Sequence, residues 1–204
     1  WRAACSMRSR RVGGCTRSTF RAELCAPWAL RQRCRACAAR PSVLTSTRRP
    51  IASAWSSTGQ NLRLHPDTGA LVDGDAALDG VQADPPLRYA WSDTHAGRTP
   101  DIAGAAYTYN AQDGKLTTNF AIDRALGVLV MQGSREGAEP VVSPNTGQLR
   151  TVGSLGLPPL IDVAFDISDV ANTALIAVRT TRDSRTRLHQ VDLRTGATRP
   201  LGQV

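Results

Sequence analysis

The chain has 204 residues and a formal net charge of +8, with only three histidines and five cysteines. That length predicts one domain, or one domain with a tail. No stretch approaches the roughly 18–20 consecutive apolar residues that a membrane-spanning helix needs, so no transmembrane segment is expected.

The charge is unevenly placed. Residues 1–57 hold twelve arginines and a single acid, Glu23, for a net +11. Residues 58–204 hold 13 basic and 16 acidic side chains, for a net −3. A chain of uniform positive charge would point to nucleic acid. Here the basicity belongs to the first quarter alone, and nucleic acid is not expected as a partner. Cysteine divides the same way. Cys5, Cys15, Cys25, Cys34 and Cys37 all precede residue 38. Cys34 and Cys37 form a C-x-x-C pair, but no second pair or H-x-H follows at zinc-finger spacing. The charge interrupts any apolar core of a signal peptide in this segment. Residues 1–57 are expected to be an irregular or disordered Arg/Cys-rich segment, and residues 58–204 a separate β domain.

Taken in chain order, residues 58–204 repeat a short pattern. NLRLHPDTGALVDG (61–74) is followed by a degenerate YTYNAQDGKLTTNFAI (107–122), then VVSPNTGQLRTVG (141–153), then LHQVDLRTGATRPLG (188–202). Each runs an apolar strand into a polar turn, and the turn residues are Asp67, Thr68 and Gly69; Asn145, Thr146 and Gly147; Thr195 and Gly196. Asp, Asn and Thr oxygens cap such turns, and Gly takes the positive φ that they require. Flanking residues alternate as half-buried strands do. Further strands are expected at 127–132, 161–167 and 172–178. The spacing predicts an all-β fold, a propeller-like array of antiparallel hairpins or blades with an incomplete set of blades, the alternative being a sandwich or an irregular β meander.

The run GQNLRLHPDTGALV (59–72) resembles a bacterial family of domains of unknown function, the one numbered 4394. The segments AGRTPDIAGAAYTYN (96–110), FAIDRALGVLVMQ (120–132), TVGSLG (151–156), FDIS (165–168) and VDLRTGATRPLG (191–202) extend the resemblance over 58–204. The resemblance implies an all-β, propeller-like domain with no assigned activity. It stops at residue 57, where an FDFNPxADRIRVVS-like strand pair is expected and VLTSTRRPIASAWSS (43–57) stands instead.

No G-x-S-x-G elbow, Walker loop, dinucleotide-binding glycine run or H-E-x-x-H is present. Asp123 and Asp166 each interrupt an apolar strand, where a carboxylate is costly unless paired or ligated. They are the candidate metal ligands, for calcium or another divalent ion. The alternative for each is a hydrogen bond to turn backbone, or a partner such as Arg124 or Arg179. No other cofactor and no catalytic residue is expected. The favoured function is a non-catalytic scaffold or binding module with a protein or carbohydrate ligand at its loop face. The alternative is a propeller hydrolase or lactonase with a metal in the central channel. An exported or cell-envelope location is expected ahead of a cytoplasmic one.

Thr45–Trp55 can be encoded so that a frame displaced by one nucleotide reads D-F-N-P-A-A-D-R-I-R-V, the missing family-like segment. Residues 1 to about 56 are therefore expected to be an out-of-frame translation of the domain's own beginning. Sequencing the gene through these codons is expected to show an open displaced frame; stop codons in it upstream of residue 57 would rule the idea out.

Overall fold

The computed structural model describes residues 41–46, 52–56, 59–114 and 116–204. They contain no α-helix, and hence none long and apolar enough to cross a membrane. The described strands make three sheets. Sheet one runs β1 (Pro41–Ser46), β2 (Ala52–Ser56) and β3 (Asn61–Leu64) in antiparallel order, and Leu64 bridges to Leu71 beyond its turn. Sheet two comprises β4 (Arg88–Tyr89), β5 (Ile102–Tyr107), β6 (Asn119–Asp123), β7 (Val128–Gln132) and β8 (Gln148–Ser154), ordered β4-β8-β7-β6-β5. Sheet three is an antiparallel meander of β9 (Leu160–Ile167), β10 (Ala174–Thr180), β11 (Asp183–Val191) and β12 (Thr198–Gln203).

Two strands, β1 and β2, fall in the segment expected from composition to be irregular. Regular structure therefore begins upstream of residue 58. The five cysteines, including the Cys34–Cys37 pair, lie outside the described residues.

Continuous apolar runs explain sheet two. In NFAID and VLVMQ, successive side chains point to opposite faces. Phe120, Ile122 and Leu129 join the core shared with sheet three, while Ala121, Val128 and Val130 join a second core with Leu87, Tyr89, Ile102 and Leu149. A strand buried on both faces needs no polar alternation. Sheet three is different. Val163, Ile167, Ala174, Ile176, Val178 and Val191 are buried on one face, while Ile161, Ala164 and Arg179 on the other are exposed.

Polar contacts join sheet one to its surroundings. Arg63 grips the buried Asp84 through Nε and Nη2 at 2.7 and 2.8 Å, and Nη2 also donates to the Asp73 carbonyl at 3.0 Å. The hydrogen bond to Asp84 raises the Arg63 pKa above its ordinary value, against the opposing effect of burial. The pair holds the long segment after β3 against the sheet. Buried amides then reach sheet two. Gln132 Nε2 donates to Asn61 Oδ1 at 3.3 Å and to the Pro144 carbonyl at 2.7 Å, and Asn119 donates to Gln132 Oε1 at 3.2 Å.

The meanders β5–β8 and β9–β12 share irregularities of register. Each first strand shifts just after its first paired residue, Ile102 in one and Leu160 in the other. Each last strand shifts immediately before a glycine, Gly153 opposite Leu129 and Gly202 opposite Leu188. Such shifts are β-bulges, which kink and twist a strand locally. The β6–β7 turn is capped by Leu126 N–H donating to Asp123 Oδ1, and the β10–β11 turn by Asp183 N–H donating to Thr180 Oγ1, three residues on in both cases.

The two sheets approach closely where side chains vanish. A Cβ on Gly104 of β5 would lie 2.7 Å from the Phe165 Cβ of β9. A Cβ on Gly153 of β8 would run into the Thr195 carbonyl oxygen, in the turn before β12, and one on Gly196 would meet the Gly153 carbonyl. Here backbone packs on backbone, with no flexible side chain to yield. Gly153→Ala is therefore expected to destabilise the fold by about 1–3 kcal/mol, read as a lower denaturation midpoint. The neighbouring exposed Ser154→Ala should change it by no more than about 0.5 kcal/mol.

Candidate functional site

The segment between β4 and β5, residues 90–101, is an irregular loop tied at both ends to one carboxylate. Tyr89, the last residue of β4, donates its hydroxyl to Asp123 Oδ2 at 2.7 Å. The Asp101 N–H, at the far end, donates to the same oxygen at 3.3 Å. Asp123 is fully buried, and its other oxygen caps the Leu126 turn at 3.0 Å. Burial first, and then the bond to Asp123, push the Tyr89 phenol well above its ordinary pKa. It is held as a hydrogen-bond donor. Arg124 adds a two-pronged contact to Asp101, at 2.9 and 3.1 Å.

The middle of the loop is fixed to β8. Asp93 accepts the Thr151 N–H at 2.6 Å, the Thr151 hydroxyl at 2.9 Å and the His95 N–H at 2.9 Å. Burial alone would raise the Asp93 pKa. The two backbone donors, the Thr151 hydroxyl and the nearby His95 more than offset it, and the carboxyl lies below its ordinary range. His95 Nδ1 sits 2.9 Å from Thr151 Oγ1, and its ring is tilted 53° against Tyr89 at 5.5 Å between centroids. The Thr151 hydroxyl already gives its proton to Asp93, so Nδ1 must be the donor in that contact.

A hydroxyl, an imidazole and a carboxylate thus meet, but in the wrong order for a nucleophile. A relay places the hydroxyl on one imidazole nitrogen and the carboxylate on the other. Here both Thr151 and Asp93 crowd Nδ1, the Asp93 oxygen at 3.6 Å, and the hydroxyl proton faces the carboxylate. The arrangement anchors a loop. What the loop presents is Trp91, 90% exposed on a segment whose neighbours are held in place.

The two carboxylates singled out from sequence have different surroundings. Asp123 is satisfied by Tyr89, Asp101 and the turn. Asp166 is exposed, and one oxygen accepts the N–H of its neighbour Ile167 at 2.9 Å. Arg124 pairs with Asp101 and Arg179 with Asp162, so neither serves these carboxylates. Among the described residues no group of three or more His, Cys, Asp or Glu side chains is placed to share a metal ion. Of the other histidines, His65 Nδ1 lies 4.0 Å from the exposed Asp67, and burial, followed by Arg187, lowers the His189 pKa.

The three Thr-Gly turns share one geometry. The residue after each Gly donates its N–H to the Thr hydroxyl, Ala70 to Thr68, Gln148 to Thr146 and Ala197 to Thr195, at 3.2, 3.4 and 3.3 Å. Gly69, Gly147 and Gly196 have φ of 67, 68 and 78°. In the second turn the Asn145 N–H donates to Ser143 Oγ at 3.2 Å.

Sequence reasoning missed Trp91, Asp93 and Thr151. The Asp93-Thr-His95 spacing carries a local turn signal, since an Asp oxygen often accepts the N–H two residues on. Nothing local announces Thr151, which lies 58 residues beyond Asp93.

A family model described as Domain of unknown function (DUF4394) matches residues 54–204. The match begins within β2, a few residues before the run at 59–72. No curated protein matches the chain.

Because its pKa is lowered by folding, Asp93 adds stability that is complete above the unfolded carboxylate pKa of about 3.9. That contribution is lost as pH falls through the folded value. Asp93→Asn is expected to cost about 1–3 kcal/mol at neutral pH. In denaturant melts from pH 7 downward, the gap between the two proteins should narrow below about pH 4. A gap constant down to pH 3 would contradict this assignment.

Proposed function

The chain belongs to the DUF4394 family of domains of unknown function, and we propose that it is a non-catalytic binding module built as a propeller-like array. The edge strands β1, β5 and β9 support the array: β5 neighbours both β1 and β9, as inner strands around a common axis do. The matching bulges and turn caps of β5–β8 and β9–β12 support it as well, as do the Thr-Gly turns. The connection from β8 to β9 through LGLPP (155–159) runs from the last strand of one sheet in chain order to the first strand of the next.

The observation that carries the binding role is Trp91. A large aromatic is rarely left almost bare on a monomer surface, and Trp is enriched where proteins meet ligands. Here its loop is fixed by Asp123 at both ends and by Asp93 in the middle, so little conformational entropy remains to be lost on binding. The indole face suits a ligand with a flat apolar surface, such as the C–H face of a sugar ring or an apolar side chain of a protein.

Titration of the chain with a panel of oligosaccharides and with candidate protein ligands, followed by indole fluorescence, tests this. Binding is expected to be lost in Trp91→Ala while stability changes by no more than about 0.5 kcal/mol, as for other surface substitutions. Ligand affinity unchanged in Trp91→Ala would refute the assignment.

A further inference from the structure

Sheet three carries on its outer face the kind of surface that sheet two uses to hold sheet three. In sheet two the cross-strand row Gly104–Ile122–Leu129–Gly153 faces its neighbour. Ile122 and Leu129 are fully buried there, Gly104 receives Phe165, and Gly153 receives the Thr195–Gly196 turn. In sheet three the row Ala164–Ala177–Leu188–Gly202 occupies the corresponding face. Gly202 follows its turn glycine by six residues, as Gly153 follows Gly147, and its strand carries the same bulge. Yet Ala164 and Gly202 are exposed, Ala177 and Leu188 are half-buried, and a Cβ on Gly202 would meet no described atom within 4 Å.

The complementary part is also left over. Gly147 packs on the Pro85 and Pro86 carbonyls and Gly196 on Gly153, so two of the three Thr-Gly turns sit against backbone. The third, Thr68–Gly69, is exposed, with nothing described within 4 Å of a Cβ at Gly69.

Charge agrees with shape. Residues 59–87, around the unused turn, hold five Asp and one Arg. The arginine is consumed by Asp84. Residues 179–204, which carry the β11–β12 side of the unused face, hold six Arg and two Asp, while Asp162 and Asp166 lie toward its β9 edge, where Arg179 pairs with Asp162. The two Asp of residues 179–204 have arginine partners within the segment, Arg187 and Arg194. Arg182, Arg185 and Arg199 are exposed, as are Asp67, Asp75 and Asp79.

We propose that two copies of this chain associate reciprocally, the acidic Thr68–Gly69 turn of each seated on the arginine-bordered Gly202 face of the other. Two such contacts related by a two-fold axis close the assembly, so no open filament is needed. The contact repeats between molecules what Gly196 and Gly153 make within one. It is independent of the ligand-binding role of Trp91.

Sedimentation of the full chain tests this at increasing protein concentration and at low and high salt. The expected result is a reversible dimer weakened by salt, because opposite charges border the contact. Gly202→Val should abolish it by filling the seat. Arg185→Glu with Arg199→Glu should weaken it about ten-fold or more, as should Asp75→Arg with Asp79→Arg. Mixing these two charge-reversed chains should restore association, which variants damaged in folding could not do. A chain that stays monomeric throughout would overturn the proposal. So would association untouched by these substitutions and driven instead by the arginines of residues 1–57, or reversed chains that fail to associate when mixed.

Discussion

The candidate site depends on one buried carboxylate. Asp123 is wholly removed from solvent, and the nearest arginine in sequence is engaged elsewhere, with Asp101. A carboxylate so placed costs several kcal/mol unless donors surround it. Three segments supply them: the hydroxyl of Tyr89, the N–H of Asp101 and the N–H of Leu126. Two of those donors are the two ends of one loop. The desolvation of a single side chain is thus offset only when the loop is closed, the β6–β7 turn is formed and β4 is in place. Trp91 inherits its fixed position from that condition.

The same economy recurs. Thr180 caps the β10–β11 turn from the place Asp123 holds in the β6–β7 turn, but it carries no charge and ties down no loop. The corresponding turn position carries a charge in one sheet and none in the other. Likewise Asp93 spends both oxygens on Thr151 and the His95 backbone. That leaves the imidazole oriented but not coupled to a nucleophile. Proximity of catalytic residue types is therefore a weaker clue than the direction of each proton.

What was legible in the sequence was local. The Thr-Gly turns could be found because cap and glycine lie within two residues of each other. The strands β7, β9 and β10 could be found because their apolar runs are long and bounded by turn residues. Asp123 stood out as a charge in an apolar run, and the turn-backbone alternative correctly described one of its oxygens. Its other partners, Tyr89 and Asp101, could not be inferred, because strand pairing brings them together. The same holds for Thr151, placed beside Asp93 by the pairing of β4 with β8. Strands β1 and β2 were obscured by the arginine- and serine-rich composition around them, which masks alternation.

The parallel pairing of β4 with β8 has a consequence for how the protein is made. Arg88 and Tyr89 leave the ribosome well before Gln148 and Leu149, the residues they pair with. Until β8 emerges, β4 has no sheet to join and Asp93 has no Thr151 to hold. Sheet three, by contrast, is contiguous in the chain and can zip strand by strand as it appears. The tryptophan loop is consequently set late in synthesis, and a chain stalled before β8 would display its indole on a tether free to meet the wrong surface.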